Sequence, residues 1–342
     1  MKFKKLIILT GIVLALLILV VIKNSLQKKQ DILERMTDPE IALVNGSINV
    51  SASKIIIYKG DDEKSKVILS RQNDGQWVLE NKFGLRAKKE AMDNLLNSLK
   101  DLKGELRADS KSVFGDFQIL DNQAAHLILS RADNQPLRHL IISFKSPNWK
   151  QNFVRVFDAN KIMLVDRNIL FAIGLFDKTV KPDGSYFADY RISPFDVNSV
   201  NKIELMAGKK RSLALIKIAA SDKNPASVWN FEPVNNKSLP DLAKVNEYLQ
   251  NVAGFYAQDI LDPAFESYGL EFPAKVLKLS LLKDNQPGQI QIEVGSFIKD
   301  KQAYYVRVMP QNQVFVVSEP FIKSLNRDKS YFTVKADKAP KK

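Results

Sequence analysis

The 342-residue chain contains no cysteine, 45% hydrophobic residues and a formal net charge of +13. Without cysteine, disulfides, thiolate nucleophiles, cysteine-held zinc and a lipid-modified cysteine are excluded. Residues 1–35 hold seven basic and two acidic groups and residues 333–342 four and one, so the body keeps only about +5, with Lys scattered among acids; this is not the Arg-rich, aromatic-interleaved stripe of a nucleic-acid interface.

Behind a short N-terminal tail (residues 1–5), residues 6–22 are seventeen positions of which fourteen are Leu, Ile or Val, from Leu6 to Ile22, with Lys2, Lys4 and Lys5 in front. As a helix they cover roughly 25 Å, near the lower limit for crossing a hydrocarbon core of about 30 Å. Lys23, Asn24, Ser25, Leu26 and Gln27 follow and offer no small-x-small cleavage site, which favours an uncut membrane anchor over a cleaved signal peptide. The basic residues flanking the segment are nearly balanced, so charge alone does not orient it. Residues 23–49 read as a polar linker, with the body beginning near Val50.

The body repeats itself. Trp77 in Gly-Gln-Trp-Val-Leu recurs as Trp229 in Ser-Val-Trp-Asn-Phe, and Phe153-Val154-Arg155-Val156 recurs as Tyr305-Val306-Arg307-Val308, both 152 positions on. Each half, 50–192 and 193–332, opens with apolar extended runs (54–58 and 66–70; 202–206 and 213–219) before its Trp strand. An amphipathic helix follows, on Met92, Leu95, Leu96, Leu99 and Leu102 or on Leu242, Val245, Leu249 and Val252. The second has a Ser238-x-x-Asp241 capping pattern around Pro240.

A hairpin comes next, 126–131 with 137–144 or 276–282 with 289–294. The Val-Arg-Val strand, one more strand and a short helix complete each half, with Ser318 the expected cap of the last helix before Pro320. The closing segments also match, Asp183-Gly184-Ser185-Tyr186-Phe187 and Asp328-Lys329-Ser330-Tyr331-Phe332. The expected fold class is α+β: two tandem copies of a mainly antiparallel sheet domain with one main amphipathic helix each, after an N-terminal transmembrane helix. Residues 333–342 read as a Lys-rich disordered tail.

The order of these elements, with Tyr268-Gly269-Leu270-Glu271-Phe272-Pro273, Val294-Gly295 and Tyr305-Val306-Arg307 in the second half, resembles the membrane-anchored family called domain of unknown function 4340. The first half departs from the pattern, with Phe117-Gln118-Ile119 where Tyr-Gly-Leu stands and Ile142-Ser143-Phe144 for the Gly-ended strand. The resemblance implies a partner, since members are often encoded beside ABC transporter components of the gliding-motility or auxiliary type. It also tilts the orientation outward: a single-pass protein of the inner membrane with its body outside the cytoplasm.

No metalloprotease helix, phosphate loop, dinucleotide fingerprint or nucleophile elbow is present, and neither a cofactor nor a metal is expected. If residues 134 and 135 form the hairpin tip, His139 faces Ser130 and His126 faces Ser143, too far apart along the ladder for a shared metal. Asp61-Asp62-Glu63 reads as a solvated turn. Trp77 and Trp229 read as core. Trp149, in the loop 146–150 beside Lys150, is a candidate contact for a protein, glycan or membrane surface, or else packs on the neighbouring repeat. Asp262 to Gly269 reads as a short helix, with Tyr268 as turn punctuation or a ligand contact. Arg155 and Arg307 read as solvent-side or inter-repeat salt bridges.

The sequence therefore predicts a non-enzymatic, membrane-tethered envelope protein that docks on a transporter assembly, with Trp149, Lys150 and Tyr268 as candidate partner-binding residues. The alternatives are a glycan- or peptidoglycan-binding module, or an envelope hydrolase using scattered carboxylates such as Asp116 and Asp121.

Overall fold

A computed structural model describes residues 23, 41–46, 51–218, 228–234, 239–265 and 267–333. The apolar segment 6–22, most of the expected linker, Ser238 and the tail beyond Thr333 lie outside the described residues. Among those described, no helix is long and apolar enough to cross a membrane.

In chain order the first elements are β1 (Ile41–Ala42), β2 (Lys54–Lys59), β3 (Val67–Arg71), β4 (Trp77–Leu79), β5 (Leu85–Arg86), α1 (Lys89–Leu99), β6 (Lys103–Asp109), β7 (Ala125–Ser130), β8 (Pro136–Ile142), β9 (Asn152–Val156), β10 (Lys161–Val165) and α2 (Ile169–Ala172). Then come β11 (Val200–Ala207), β12 (Lys210–Ile218), β13 (Val228–Phe231), α3 (Leu242–Ala253), β14 (Asp259–Leu261), β15 (Lys275–Lys283), β16 (Gln286–Ile298), β17 (Ala303–Met309), β18 (Gln313–Ser318), α4 (Glu319–Leu325) and α5 (Lys329–Phe332). Two antiparallel sheets and a few short helices make an α+β fold that is mostly β.

The residues group into two compact units, one of the chain up to Lys66 with Asp93–Asp183, the other of Val67–Met92 with Gly184 onward. These differ from the halves 50–192 and 193–332 mainly over residues 67–92, which cluster with the second unit. Hydrogen bonds show why: Lys88 N–H donates to the Phe187 carbonyl at 2.6 Å, Asp189 N–H to the Arg86 carbonyl at 2.9 Å, and the Gln313 side-chain Nε2 to the Gly84 carbonyl at 2.9 Å. The first unit also begins earlier than Val50, because Ile41 and Ala42 pair with Gly104 and Lys103 on β6 and Leu43 and Val44 are buried beside it.

In the first unit the strand order is β1-β6-β10-β9-β8-β7-β2, and in the second β13-β12-β11-β15-β16-β17-β18-β14, with β3-β4-β5 as a further ladder. The run β2-β7-β8-β9-β10-β6 thus has the same order as β11-β15-β16-β17-β18-β14. Alternation along β2 buries Ile55 and Ile57, and α1 turns Met92, Leu95 and Leu99 inward, each worth about 2 kcal/mol of burial. Trp77 and Trp229 are buried as expected.

Several local expectations change. The cap of α3 is Asp241 itself, whose carboxylate accepts from Ala243 and Lys244 N–H, so Pro240 lies before the helix. Tyr248 joins the buried face at the i+3 position and Leu242 is exposed. Ser318 occupies the cap position of α4 without a side-chain capping bond. The second hairpin closes tightly over Asp284 and Asn285, both at positive φ, so β15 and β16 run longer than the sequence pattern indicates. Where a helix is expected over 262–269, the described residues 262–265 and 267–269 form turns, with Asp262 Oδ1 accepting from Ala264 N–H in a local side-chain turn.

Candidate functional site

The motif of the second unit is a backbone clamp. Gly269 has φ +68° and an added Cβ would collide with Ser296 Oγ, so only glycine fits without strain. Gly295 lies under it, where any side chain would strike the Tyr268 carbonyl, and β16 loses its register between Val294 and Phe297 to make room. Ser296 N–H donates to that Tyr268 carbonyl at 2.9 Å. Arg307 closes the clamp, with Nη2 on the Leu270 carbonyl at 3.0 Å and Nε on Glu293 at 2.6 Å. Tyr268 is itself buried, its hydroxyl donating to the Asp262 carbonyl at 3.0 Å and its ring 4.8 Å from Tyr305. It holds the turn; the side chains left outside are its neighbours Phe265 and Phe272, the latter 84% exposed.

The first unit builds the same clamp from different residues. Gln118 takes φ +51° where Gly269 stands, and Ser143 Oγ donates to the Phe117 carbonyl at 2.5 Å. Arg155 Nε reaches the Ile119 carbonyl at 3.2 Å and Nη1 the Phe157 carbonyl at 2.6 Å, while Nη2 pairs with Asp121. Arg155 is only 3% exposed and so is not a solvent-side bridge, whereas Arg307 is part-exposed and bridges Glu293; each acts within its own unit. Asp121 is ion-paired with Arg155.

Next to this clamp the two histidines meet. Residues 131–135 join β7 to β8, with Arg131 N–H donating to the Gln135 carbonyl at 2.9 Å, Asn134 left-handed at φ +66° and a register shift between Leu129 and Ser130, in place of a tip at residues 134 and 135. His126 therefore faces Ile141 and His139 faces Ile128, which makes the imidazoles diagonal neighbours on one face. His126 Nδ1 and His139 Nε2 are 2.9 Å apart. Because His126 Nε2 lies 2.8 Å from the Asp121 carbonyl, an acceptor only, it carries a proton. In the neutral pair His126 Nδ1 then accepts from His139 Nε2–H. One added proton can be held by exchanging these roles; a second would set two N–H groups against each other.

Tyr58 stacks on His126 at 4.2 Å and Phe157 on His139 at 4.4 Å. Burial holds both imidazoles below their ordinary range, His139 at about 4, where the neighbouring His126 adds to the effect. The opposing influence is Asp121, beside His126. Among the described residues no group of three or more His, Asp or Glu is placed to hold a metal.

Trp149 lies on the other side of the sequence question, 77% exposed with the Lys150 ammonium 5.0 Å from its ring centre. Asn168 anchors the loop, Nδ2 donating to the Trp149 carbonyl at 2.6 Å while Oδ1 caps α2 at Phe171 N–H, 3.0 Å away. Phe171 and Phe176 are exposed and edge-to-face at 5.3 Å, and Phe171 belongs to the helix that Asn168 caps. The sequence reading missed both, although a run of eight residues, Ile169 to Phe176, holds more apolar side chains than a four-residue helix can bury.

Two clefts accompany these features. One of about 370 Å³ is lined by residues including Asp101, Lys103, Glu105, Gln151, Asp166 and Arg167. The other, about 260 Å³, lies over Gln289, Gln291, Glu293, Arg307, Met309 and Pro310. Asp62 pairs with Lys181 at 3.1 Å on the surface, as a solvated turn does.

No curated protein and no solved structure matches the chain. The family model described as Domain of unknown function (DUF4340) matches residues 77–271, from the first buried Trp through the Tyr-Gly-Leu turn of the second unit. With more than half of its length matched, the chain belongs to the DUF4340 family.

Proposed function

We propose that the chain is a non-enzymatic accessory protein of the cell envelope, tethered to the inner membrane by residues 6–22 with its body outside the cytoplasm. It docks on a membrane complex, for which the family resemblance implies an ABC transporter of the gliding-motility or auxiliary type. The matched strand orders, the 152-residue offset and the two clamps support reading the body as tandem copies of one domain.

The observation that carries the docking reading is Phe272, 84% exposed on a turn immobilised by Gly269, Gly295 and Arg307. A large aromatic held rigidly outside loses little entropy on burial and suits the centre of a protein interface. Arg155 and Arg307 favour a structural reading of the ionisable groups, since each is used to hold a carbonyl. A photo-crosslinker at position 272 of the full chain in native membranes should capture transporter subunits, and Phe272→Ala with Phe265→Ala should cut co-purification at least tenfold with an unchanged melting curve. Capture of no membrane protein would sink the reading. Protease cleavage of the body only after the outer barrier is opened checks its placement. The glycan- or peptidoglycan-binding alternative is favoured by the exposed Trp149 and is separated from a lipid contact below.

A further inference from the structure

We propose that Trp149, Lys150, Phe171 and Phe176 form a patch by which the first unit rests in the headgroup region of a phospholipid bilayer. The three aromatics are 77%, 55% and 59% exposed. They are also ordered in advance. The Asn168 side chain joins the Trp149 carbonyl to the first turn of α2, and Asn148 braces the loop from Lys150 N–H at 2.9 Å to Gln151 Oε1 at 2.7 Å. Helix α2 buries Ile169, Leu170 and Ala172 and so turns Phe171 outward.

An amphipathic indole with a lysine at its face matches the water–hydrocarbon boundary, where aromatic rings settle at headgroup level and a lysine stem lies along apolar surface with its charge on phosphate. Charge is secondary here, because Asp101, Glu105 and Asp166 offset Lys103 and Arg167 in the adjoining cleft.

The position of the patch names the occupant. The chain enters the unit at β1, paired with Lys103 and Gly104, and those residues line the same cleft as Gln151 and Arg167, which adjoin the Trp149 loop and Asn168. Between Ile22 and Ile41 stand eighteen residues, spanning at most about 60 Å in any conformation. The patch thus lies by the edge at which the chain enters the unit, within reach of the bilayer. The inference rests on residues 6–22 being the anchor.

The test uses the full chain reconstituted in phosphatidylcholine and phosphatidylglycerol vesicles containing lipid brominated near the headgroup. Trp77 and Trp229 are buried, so contact quenching reports Trp149. Bromolipid should quench part of the emission, that part should vanish in Trp149→Leu, and Phe171→Ser with Phe176→Ser should reduce it at least threefold at unchanged helix and strand content. High salt should leave the quenching in place. Equal quenching of the parent and Trp149→Leu, or none in a chain that floats with the vesicles, overturns the patch and leaves the tether standing. A chain that does not float overturns both. Shielding of Trp149 from iodide by peptidoglycan fragments but not by lipid overturns the patch in favour of a glycan contact.

Discussion

Replacing His139 by Gln tests the imidazole pair most directly, because the amide keeps a donor for His126 Nδ1 and removes the titration. In the folded chain burial brings His139 from 6.5 to about 4. That difference corresponds to roughly 3 kcal/mol of preference for the neutral ring. Water screens a ring that is only part-buried, which reduces the figure to about 1 to 2 kcal/mol. The unfolded chain takes up the proton near 6.5 and the folded chain only near 4, so between these values the unfolded state binds more protons. The contribution is complete above about pH 6.5 and is lost as pH falls towards 4. Hydrogen exchange of peptides covering β7 and β8, corrected for intrinsic rates, measures the local opening free energy of the full chain in detergent. The parent should lose about 1 to 2 kcal/mol more between neutral pH and pH 4.5 than His139→Gln does. Carboxylate effects are common to both proteins and cancel in the comparison. An identical pH dependence in the two would refute the reasoning.

Gly269→Ala should destabilise by about 2 to 4 kcal/mol in chemical denaturation, since φ is +68° and the new Cβ meets Ser296. Gln118→Gly should move the other way by roughly 0.5 kcal/mol, because relief at φ +51° slightly exceeds the added freedom of the unfolded chain. Arg155→Met should cost about 3 kcal/mol, leaving the Ile119 and Phe157 carbonyls and Asp121 without their donor, and should raise exchange throughout residues 114–124. Asp241→Ala should lower stability by about 1 kcal/mol through the lost cap of α3, read by circular dichroism.

The order of strands and helices was legible because apolar periodicity and the 152-residue offset are local signals that the fold preserves. The Trp pair was legible for the same reason. Register was not. The position of the histidines depended on one residue more or less in the turn, and the left-handed Asn134 with the register shift between Leu129 and Ser130 decided it. Nor did alternation reveal the arginines: β17 and β9 do send Arg307 and Arg155 to the face opposite the valines, but a loop from the same unit covers that face. The exposed Phe171, Phe176 and Phe272 escaped notice because apolar residues in a short run are assigned to a core until the helix proves too short to bury them. The 67–92 segment clustered with the second unit through contacts some hundred residues distant, which no window along the chain displays.

Corresponding positions explain why the two clamps differ. Arg307 faces Glu293 across the strands, with Gln291 donating to that carboxylate at 2.5 Å; 152 residues earlier, Arg155 faces Ile141, and His139 stands for Gln291. Once the strand acid is an isoleucine, the buried guanidinium needs a carboxylate from elsewhere, and Asp121 supplies it from the loop. The same residue's carbonyl then receives His126 Nε2. In the first unit, therefore, the arginine that fixes the turn and the imidazole pair share one loop residue, whereas in the second unit the acid is built into the strand and Val276 occupies the place of His126. A second proton on the histidines strains the Asp121 loop and with it the Arg155 clamp, while the Arg307 clamp has no imidazole beside it. Acid should accordingly loosen residues 114–124 before residues 262–270, an order that peptide-resolved exchange at falling pH reads directly; simultaneous loosening would show that the shared loop residue does not couple them.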